Sequence, residues 1–250
     1  ELIADCDGVF QVDVKRLDAI NEIDEIMIAT RHTNFPVKKG DRLLGTRVIP
    51  LVIAKEKMEQ VKKTAGETPL VSLTPYKKKT VGIVTTGNEV YYGRIKDTFT
   101  PVIIEKMKEY KIEVCGHILC NDDMEKITKA ILELKEKGAE MIVCTGGMSV
   151  DPDDKTPGAI KATGARIVSY GAPVLPGAMF LLSYLEDGTP VMGLPGCVMY
   201  AKATVFDLVL PRIAAGIEVT KKDLAHMGNG GFCLGCKECH YPNCSFGKGV

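Results

Sequence analysis

Three short stretches of this sequence combine residue types that could bind an anion, and each follows an apolar run. The runs cover 80–86, 140–144 and 190–194. In the first two stretches, backbone N–H groups and hydroxyls can donate hydrogen bonds to a phosphate, as in a glycine-rich loop before a helix. The candidate donors are Thr86, Gly87, Gly146, Gly147 and Ser149, and the third stretch offers a tight turn at Pro195 and Gly196.

Carboxylates lie beside these donors. Glu89 and Asp97 belong to the first stretch, and Asp151, Asp153 and Asp154 follow the second. A phosphate bound by the donors would be repelled by the carboxylates unless a cation lay between them. Mg²⁺ resolves this conflict, because it binds one or two carboxylates together with phosphate oxygens and keeps several waters. The sequence therefore predicts an anion site at which Asp97, Asp154 or both hold Mg²⁺.

A cysteine cluster near the end of the chain predicts a second site. Cys233, Cys236, Cys239 and Cys244 follow the spacing C-x₂-C-x₂-C-x₄-C. Four thiolates this close suit tetrahedral Zn²⁺, with His240 as a substitute ligand, and they equally suit an iron–sulfur cluster of the kind that bacterial ferredoxins hold. Disulfides are the alternative in a secreted protein.

The elements that must position the first site alternate between strand and helix from Thr80 onward. The predicted strands cover 80–87, 112–119, 140–147 and 165–171, and the predicted helices cover 100–110, 122–138, 157–162 and 198–213. An antiparallel hairpin is predicted to turn at Asp187–Gly188. The pattern is typical of an α/β domain, a three-layer αβα arrangement with a mostly parallel sheet, in which ligands bind beyond the carboxyl ends of the strands.

The chain is predicted to have three parts. Residues 1–75 mix helix and strand signals and form an accessory α+β region, in which the run 47–53, interrupted by Pro50, predicts an edge strand. A proline and three lysines within 74–79 mark its end, the α/β domain covers 76–216, and the Cys-rich tail covers 217–250. Because the chain begins with Glu1 inside a predicted strand, we expect an upstream part to precede it.

Composition limits the partners. The 250 residues contain 32 Lys+Arg and 32 Asp+Glu, so the net charge of +0 provides no field for a polyanion, and we expect no nucleic-acid partner. No apolar run approaches the roughly 20 residues that a bilayer span needs. We therefore expect no membrane association and a cytoplasmic location.

Five motifs, in this order, resemble those of the molybdopterin-binding proteins of molybdenum-cofactor biosynthesis, the group of MoaB, MogA, MoeA and gephyrin. They are T-G-N-E (86–89), G-R-I-K-D-T (93–98), G-G-M-S (146–149), the D-K-T-P run (154–157) and L-P-G (194–196). The resemblance covers roughly Thr80 to Gly216.

The resemblance implies binding of molybdopterin, a phosphorylated pterin with a dithiolene, or of its adenylylated form, with Mg²⁺-dependent insertion of molybdate. It places Asp97 and Asp154 near the metal or molybdate and Glu89 in support of the first stretch. It gives phosphate or pterin binding to Thr86, Gly87, Gly146, Gly147 and Ser149, and the far wall of the site to Pro195 and Gly196. The resemblance also implies two further partners. One is a molybdoenzyme client, served through the cysteine tail, and the other is a second copy of the chain in a homo-oligomer.

Four positions depart from the family pattern and bear on turnover more than on binding. Asn88 and Asp151 stand where the pattern has Asp and Gly, and Phe99 and Cys197 stand where it has Asn. Two alternative functions therefore stay open. One is a CinA-like nucleotide pyrophosphate hydrolase, which would use the same Asp and Mg²⁺ groups, and the other is a noncatalytic carrier of molybdopterin.

Overall fold

The computed structural model describes residues 1–149, 151 and 153–249. The chain forms two compact units, Glu1–Tyr76 and Lys77–Val250. Each unit has its own sheets and its own buried core. No helix within the described ranges combines the length and the apolar character that a membrane span requires.

The first unit contains two three-stranded antiparallel sheets, in the orders β1-β5-β3 and β4-β2-β6. Its elements are β1 (Leu2–Ile3), β2 (Gly8–Val12), α1 (Val14–Asn21), β3 (Ile26–Thr30), β4 (Phe35–Val37), β5 (Arg42–Val48), α2 (Lys55–Ala65) and β6 (Val71–Pro75). The predicted edge strand over 47–53 is wrong. β5 lies between two strands and ends before Pro50, because a proline has no N–H to donate to the ladder.

The second unit contains one six-stranded sheet with the order β10-β11-β12-β9-β7-β8. Its elements are β7 (Thr80–Thr86), α3 (Asn88–Tyr91), α4 (Phe99–Lys108), β8 (Glu113–Cys120), α5 (Met124–Glu136), β9 (Met141–Thr145), α6 (Thr156–Ala162), β10 (Arg166–Tyr170), β11 (Leu181–Tyr184), β12 (Pro190–Leu194), a 3₁₀ helix (Gly196–Met199), α7 (Val205–Ala214) and α8 (Lys221–His226). Strands β12, β9, β7 and β8 are parallel, and β10 and β11 are antiparallel to their neighbours.

Helices cover both faces of this sheet. Val84 and Cys144 pack with α5 and α6 in one hydrophobic cluster. Successive residues of a strand point to opposite faces, and Thr85, the neighbour of Val84, contacts Thr100 of α4. The predicted α/β fold, with three layers and a mostly parallel sheet, is confirmed, as is the hairpin that β11 and β12 form.

The last helix of the α/β fold starts later than the sequence predicts. The predicted helix over 198–213 is preceded by the 3₁₀ helix, and α7 begins at Val205. Thr204 and Asp207 fix that start with a capping box. The Thr204 side chain accepts a hydrogen bond from the backbone of Asp207, and the Asp207 side chain accepts one from the backbone of Thr204. The Asp207 carboxylate also pairs with Lys106 of α4.

Candidate functional site

The three candidate stretches meet at one edge of the six-stranded sheet. They follow β7, β9 and β12, which are parallel neighbours in the order β12-β9-β7. Leu194 pairs with Thr145, and Thr145 pairs with Thr85, so the carboxyl ends of the three strands lie side by side. The structure therefore brings the three stretches to the position where open parallel sheets bind ligands.

The first two stretches approach each other closely at Gly146. A Cβ on this glycine would lie 2.2 Å from the carbonyl oxygen of Thr86, and its φ of +84° also disfavours a side chain. The Thr156 hydroxyl lies between the two stretches, donating to the Gly146 carbonyl at 2.8 Å and lying 3.1 Å from the Thr86 hydroxyl. The Thr86 and Thr156 side chains are buried, so their hydroxyls hold the two stretches together rather than face solvent.

Asp97 caps the N-terminus of α4. Its Oδ1 accepts hydrogen bonds from the backbone N–H groups of Phe99 and Thr100 at 2.9 and 3.0 Å, and its Oδ2 accepts one from the Thr100 hydroxyl. The helix therefore begins at Phe99, with Pro101 inside its first turn, where a missing N–H is tolerated.

These contacts keep the Asp97 carboxylate ionised. Burial by itself raises its pKa, but the hydrogen bonds from Thr100 and Phe99, with a smaller contribution from His117, outweigh burial. The pKa therefore lies below its ordinary value of 3.8. A fixed, ionised carboxylate beside the strand ends is a suitable ligand for a divalent cation.

A polar cluster surrounds Asp97 beneath the strand ends. The Thr85 hydroxyl lies 3.0 Å from Nε2 of His117 and 3.1 Å from the hydroxyl of Thr100, and it accepts a hydrogen bond from Thr145 at 3.3 Å. Nε2 of His117 also lies 3.7 Å from the Asp97 carboxylate. The cluster joins β7, β8, β9 and α4 through the side chains of Thr85, His117, Thr145 and Thr100.

In the second stretch, two predicted ligand groups bind each other. The Asp154 carboxylate accepts hydrogen bonds from the hydroxyl of Ser149 at 2.9 Å and from its backbone N–H. The Tyr170 hydroxyl donates to the Ser149 carbonyl at 3.0 Å, which fixes the turn from β10. An anion that used the Ser149 donors would have to displace Asp154.

The Glu89 side chain lies apart from the polar cluster. It is exposed on α3, and among the described residues it makes no hydrogen bond or ion pair. The start of α3 is held by its neighbours, since Gly87 donates to the carbonyl of Cys120 and the Asn88 N–H donates to the carboxylate of Asp122. Gly87 has a φ of +131°, a conformation that favours glycine.

The third stretch turns directly from β12 into the 3₁₀ helix at Pro195 and Gly196. This helix packs against α4, and the Thr98 hydroxyl donates to Sδ of Met199 at 3.5 Å. Burial raises the pKa of the Cys197 thiol, so this cysteine is not an activated thiolate. The stretch thus closes the site from the side of β12 with apolar and backbone groups.

No three His, Cys, Asp or Glu side chains of the described residues come together as a metal site. Mg²⁺ does not require such a cage, since one or two carboxylates with waters and phosphate oxygens suffice. The Asp97 carboxylate and the Asp154 carboxylate fit that requirement by their chemistry. The four tail cysteines do not converge on one point, although all of them line one pocket.

Comparison with known proteins identifies relatives of the second unit. A family model described as "Probable molybdopterin binding domain" matches residues 82–215. A molybdopterin molybdenumtransferase of Synechococcus elongatus is 24% identical over 225 residues, which cover 82% of this chain and 54% of that protein. A CinA-like protein of Mycobacterium avium is 35% identical over 75 residues, covering 30% of this chain and 17% of that protein.

Among solved structures, the tungsten cofactor synthesizing protein MoaB from Pyrococcus furiosus is 21% identical, with a TM-score of 0.45, over 55% of this chain and 93% of that chain. The chain spans about half the length of the molybdenumtransferase, and a smaller share of the CinA-like protein.

Proposed function

Because the chain belongs to the molybdopterin-binding family of molybdenum-cofactor biosynthesis, we propose that it binds molybdopterin or its adenylylated form where β7, β9 and β12 end. We further propose that it inserts molybdate with Mg²⁺. The observation that carries the proposal is the meeting of three stretches at the carboxyl ends of parallel strands, with the ionised Asp97 carboxylate held beside the end of β7 by Thr85 and Thr100. A cytoplasmic location, a molybdoenzyme client and self-association belong to the same proposal.

In this proposal the phosphate accepts hydrogen bonds from backbone N–H groups and from Ser149. Gly146 and Gly147 follow the end of β9 and have no side chains to block a ligand from their N–H groups. Gly87 would join them by exchanging its hydrogen bond to the Cys120 carbonyl for one to the ligand. The Thr86 and Thr156 hydroxyls hold the two stretches at their close approach. They act as positioning groups rather than as ligands.

Ser149 and Asp154 exchange partners when the ligand binds. In the free protein the Ser149 N–H and hydroxyl donate to the Asp154 carboxylate. A ligand phosphate that accepted both hydrogen bonds would release this carboxylate, and Asp154 and Asp97 are the two side chains that would hold Mg²⁺. Mg²⁺, when bound, offsets the charge of phosphate and molybdate oxygens. Ligand and cation binding should therefore be cooperative.

A second candidate function is pyrophosphate hydrolysis of a nucleotide. The 35% identity to a CinA-like protein over 75 residues favours it. Asp97, Asp154 and the glycine N–H groups would serve that reaction with the same chemistry. Noncatalytic carriage of molybdopterin is the third alternative, and the positions of Phe99 and Cys197 favour it, because neither side chain offers the amide of the family pattern.

The test is a titration of the full chain with molybdopterin and with its adenylylated form, with and without Mg²⁺, following both binding and release of AMP. Mg²⁺-dependent binding with AMP release supports the insertion reaction. Binding without release identifies a carrier, and no binding together with cleavage of free nucleotides identifies the hydrolase.

Matched variants localise the site in the same titration. Asp97→Asn and Asp154→Asn should each weaken Mg²⁺-dependent binding at least tenfold, which corresponds to about 1.4 kcal/mol. Asp187→Asn is the control, because this carboxylate pairs with Lys135 at the β11–β12 hairpin. Equal binding by all three variants would show that the carboxylates beside the strand ends do not hold the cation.

A further inference from the structure

The end of the chain is fixed to the second unit on both sides of its cysteine cluster. The N–H of Cys233 donates to the Leu175 carbonyl at 2.8 Å, and the N–H of Gly247 donates to the Gly230 carbonyl at 2.9 Å. Phe246 is buried, and the Tyr241 hydroxyl donates to the carbonyl of Asp207 at 2.6 Å. The segment between these anchors is therefore a closed loop on the surface of the unit.

This loop surrounds a pocket of about 260 Å³. Its lining includes four cysteines and a histidine, which are Cys233, Cys236, Cys239, His240 and Cys244. All four thiols are free; those of Cys236 and Cys239 are exposed. The lining also includes Pro176, Ala201, Lys202 and Ala203.

Little within the loop itself explains its conformation. Residues 234–239 form no helix or strand, and among the described residues no backbone N–H of this segment donates a hydrogen bond to another backbone group. Phe232 and Leu234 are 69% and 78% exposed, so the loop is not closed by an apolar core. Gly235, with a φ of +63°, provides a tight turn between Cys233 and Cys236.

We propose that Cys233, Cys236, Cys239 and Cys244 bind a single metal centre as thiolates. Four sulfur ligands suit tetrahedral Zn²⁺ or an iron–sulfur cluster, and the two centres share this ligand chemistry. The observation that carries the proposal is that four free thiols line one pocket within a loop whose two ends are fixed.

Metal binding requires the loop to close further. In this conformation the thiols line the pocket without forming a metal site. The exposed segment 234–239 lies between the anchors at Cys233 and Tyr241, and in this proposal it moves inward while both anchors hold. Each cysteine releases its thiol proton as it binds, so metal uptake should release protons and weaken at low pH.

The metal centre would also restrain the third candidate stretch. Ala201, Lys202 and Ala203 form part of the pocket wall, and they connect the 3₁₀ helix Gly196–Met199 to α7. A closed metal loop would hold this connection against the tail. The site itself does not depend on the proposed function, since its ligands lie outside the three stretches at the strand ends.

The experiment measures metal per chain in the full-length protein, prepared anaerobically with reduced thiols. One sample is titrated with Zn²⁺ against a chromophoric chelator. Another is incubated with Fe²⁺, Fe³⁺ and sulfide and analysed for iron and acid-labile sulfide. We expect one centre per chain, and the sample that reaches this stoichiometry identifies it. Stoichiometric binding in neither sample would overturn the proposal.

Cysteine variants test the ligands. Cys236→Ser and Cys239→Ser change exposed side chains, and each should weaken metal binding at least about 100-fold, the upper value for loss of an outer-shell partner. Cys6→Ser is the control, a half-buried cysteine of the first unit, and should bind as wild type does. Wild-type metal content in a Cys236→Ser/Cys239→Ser double variant would refute the assignment. Circular dichroism of each metal-free variant confirms that it is folded.

Discussion

Two glycine-to-alanine substitutions test how closely the first two candidate stretches are packed. Gly146 and Gly188 have nearly the same φ, +84° and +82°, so the backbone disfavours alanine to a similar degree at both. They differ in the space around them. A Cβ at Gly146 would lie 2.2 Å from the Thr86 carbonyl oxygen, whereas nothing lies within 4 Å of a Cβ at Gly188.

The expected losses of stability follow from these contacts. The left-handed backbone costs an alanine about 1 kcal/mol at either position. At Gly146 the steric overlap adds about 1–3 kcal/mol, the usual range for overpacking, because a backbone carbonyl cannot rotate away as a side chain can. We expect the free energy of unfolding to fall by about 1 kcal/mol in Gly188→Ala and by about 2–4 kcal/mol in Gly146→Ala.

Urea denaturation of both full-length variants, followed by far-ultraviolet circular dichroism, measures the two losses. Molybdopterin affinity is measured on the same samples, and it should fall in Gly146→Ala alone, since moving Thr86 displaces the Thr156 hydroxyl that joins the stretches. Equal losses of stability in the two variants would refute the close approach. Equal molybdopterin affinities in the two variants would show that the close approach at Gly146 does not contribute to ligand binding.

Three further predictions concern single groups. Asp97→Ala should lower the free energy of unfolding by about 1 kcal/mol, the value of a helix N-cap. Asp97→Asn keeps an acceptor oxygen and should lose less. Urea denaturation compares the two variants, and equal losses would contradict the capping role. The pKa of Asp97 in the folded protein lies below 3.8, so its ionisation stabilises the protein above that pH. This stabilisation is lost as the pH falls through the folded pKa. The acid denaturation of Asp97→Asn should therefore lack this loss of stability. Cys236 and Cys239 should react with a thiol reagent in the folded, metal-free protein. Burial strongly raises the pKa of the Cys144 thiol, which should therefore react only after unfolding, as timed labelling with mass spectrometry would show.

The sheet and its order of elements could be predicted because they depend on local patterns. Apolar runs such as 140–147 identify buried strands whatever their neighbours, and the Asp187–Gly188 turn identifies the hairpin. The start of α4 could not be predicted in the same way. Asp97 and Thr100 are both good capping residues, and the choice between them depends on which side chain reaches the free N–H groups once the preceding loop has folded.

The polar cluster around Asp97 could not be predicted from the sequence for a different reason. His117 and Thr85 meet only because β7 and β8 pair in parallel with a register shift between Val81 and Gly82. Nothing in the local sequence specifies that register. A histidine within an otherwise apolar strand was the one available signal, and it does not identify the partner.

The hydrogen bonds that Ser149 donates to Asp154 could not be predicted from the sequence either. Residue types alone indicated one donor and one carboxylate, each available to a ligand. In the free protein the Ser149 N–H and hydroxyl donate to the Asp154 carboxylate, which lies five positions further along the chain. The roles of these residues in binding stay predictions.

Asp207 connects three parts of the second unit. Its carboxylate caps α7 and pairs with Lys106 of α4, and its carbonyl accepts the Tyr241 hydroxyl from the tail. Asp207 therefore contacts both the helix that Asp97 caps and the loop that carries the cysteines. If occupation of either site shifts Asp207, thermodynamic reciprocity requires that metal uptake change pterin affinity by the same factor as pterin changes metal affinity. Metal binding at the cysteine tail would then change the affinity of the site at the strand ends for the pterin.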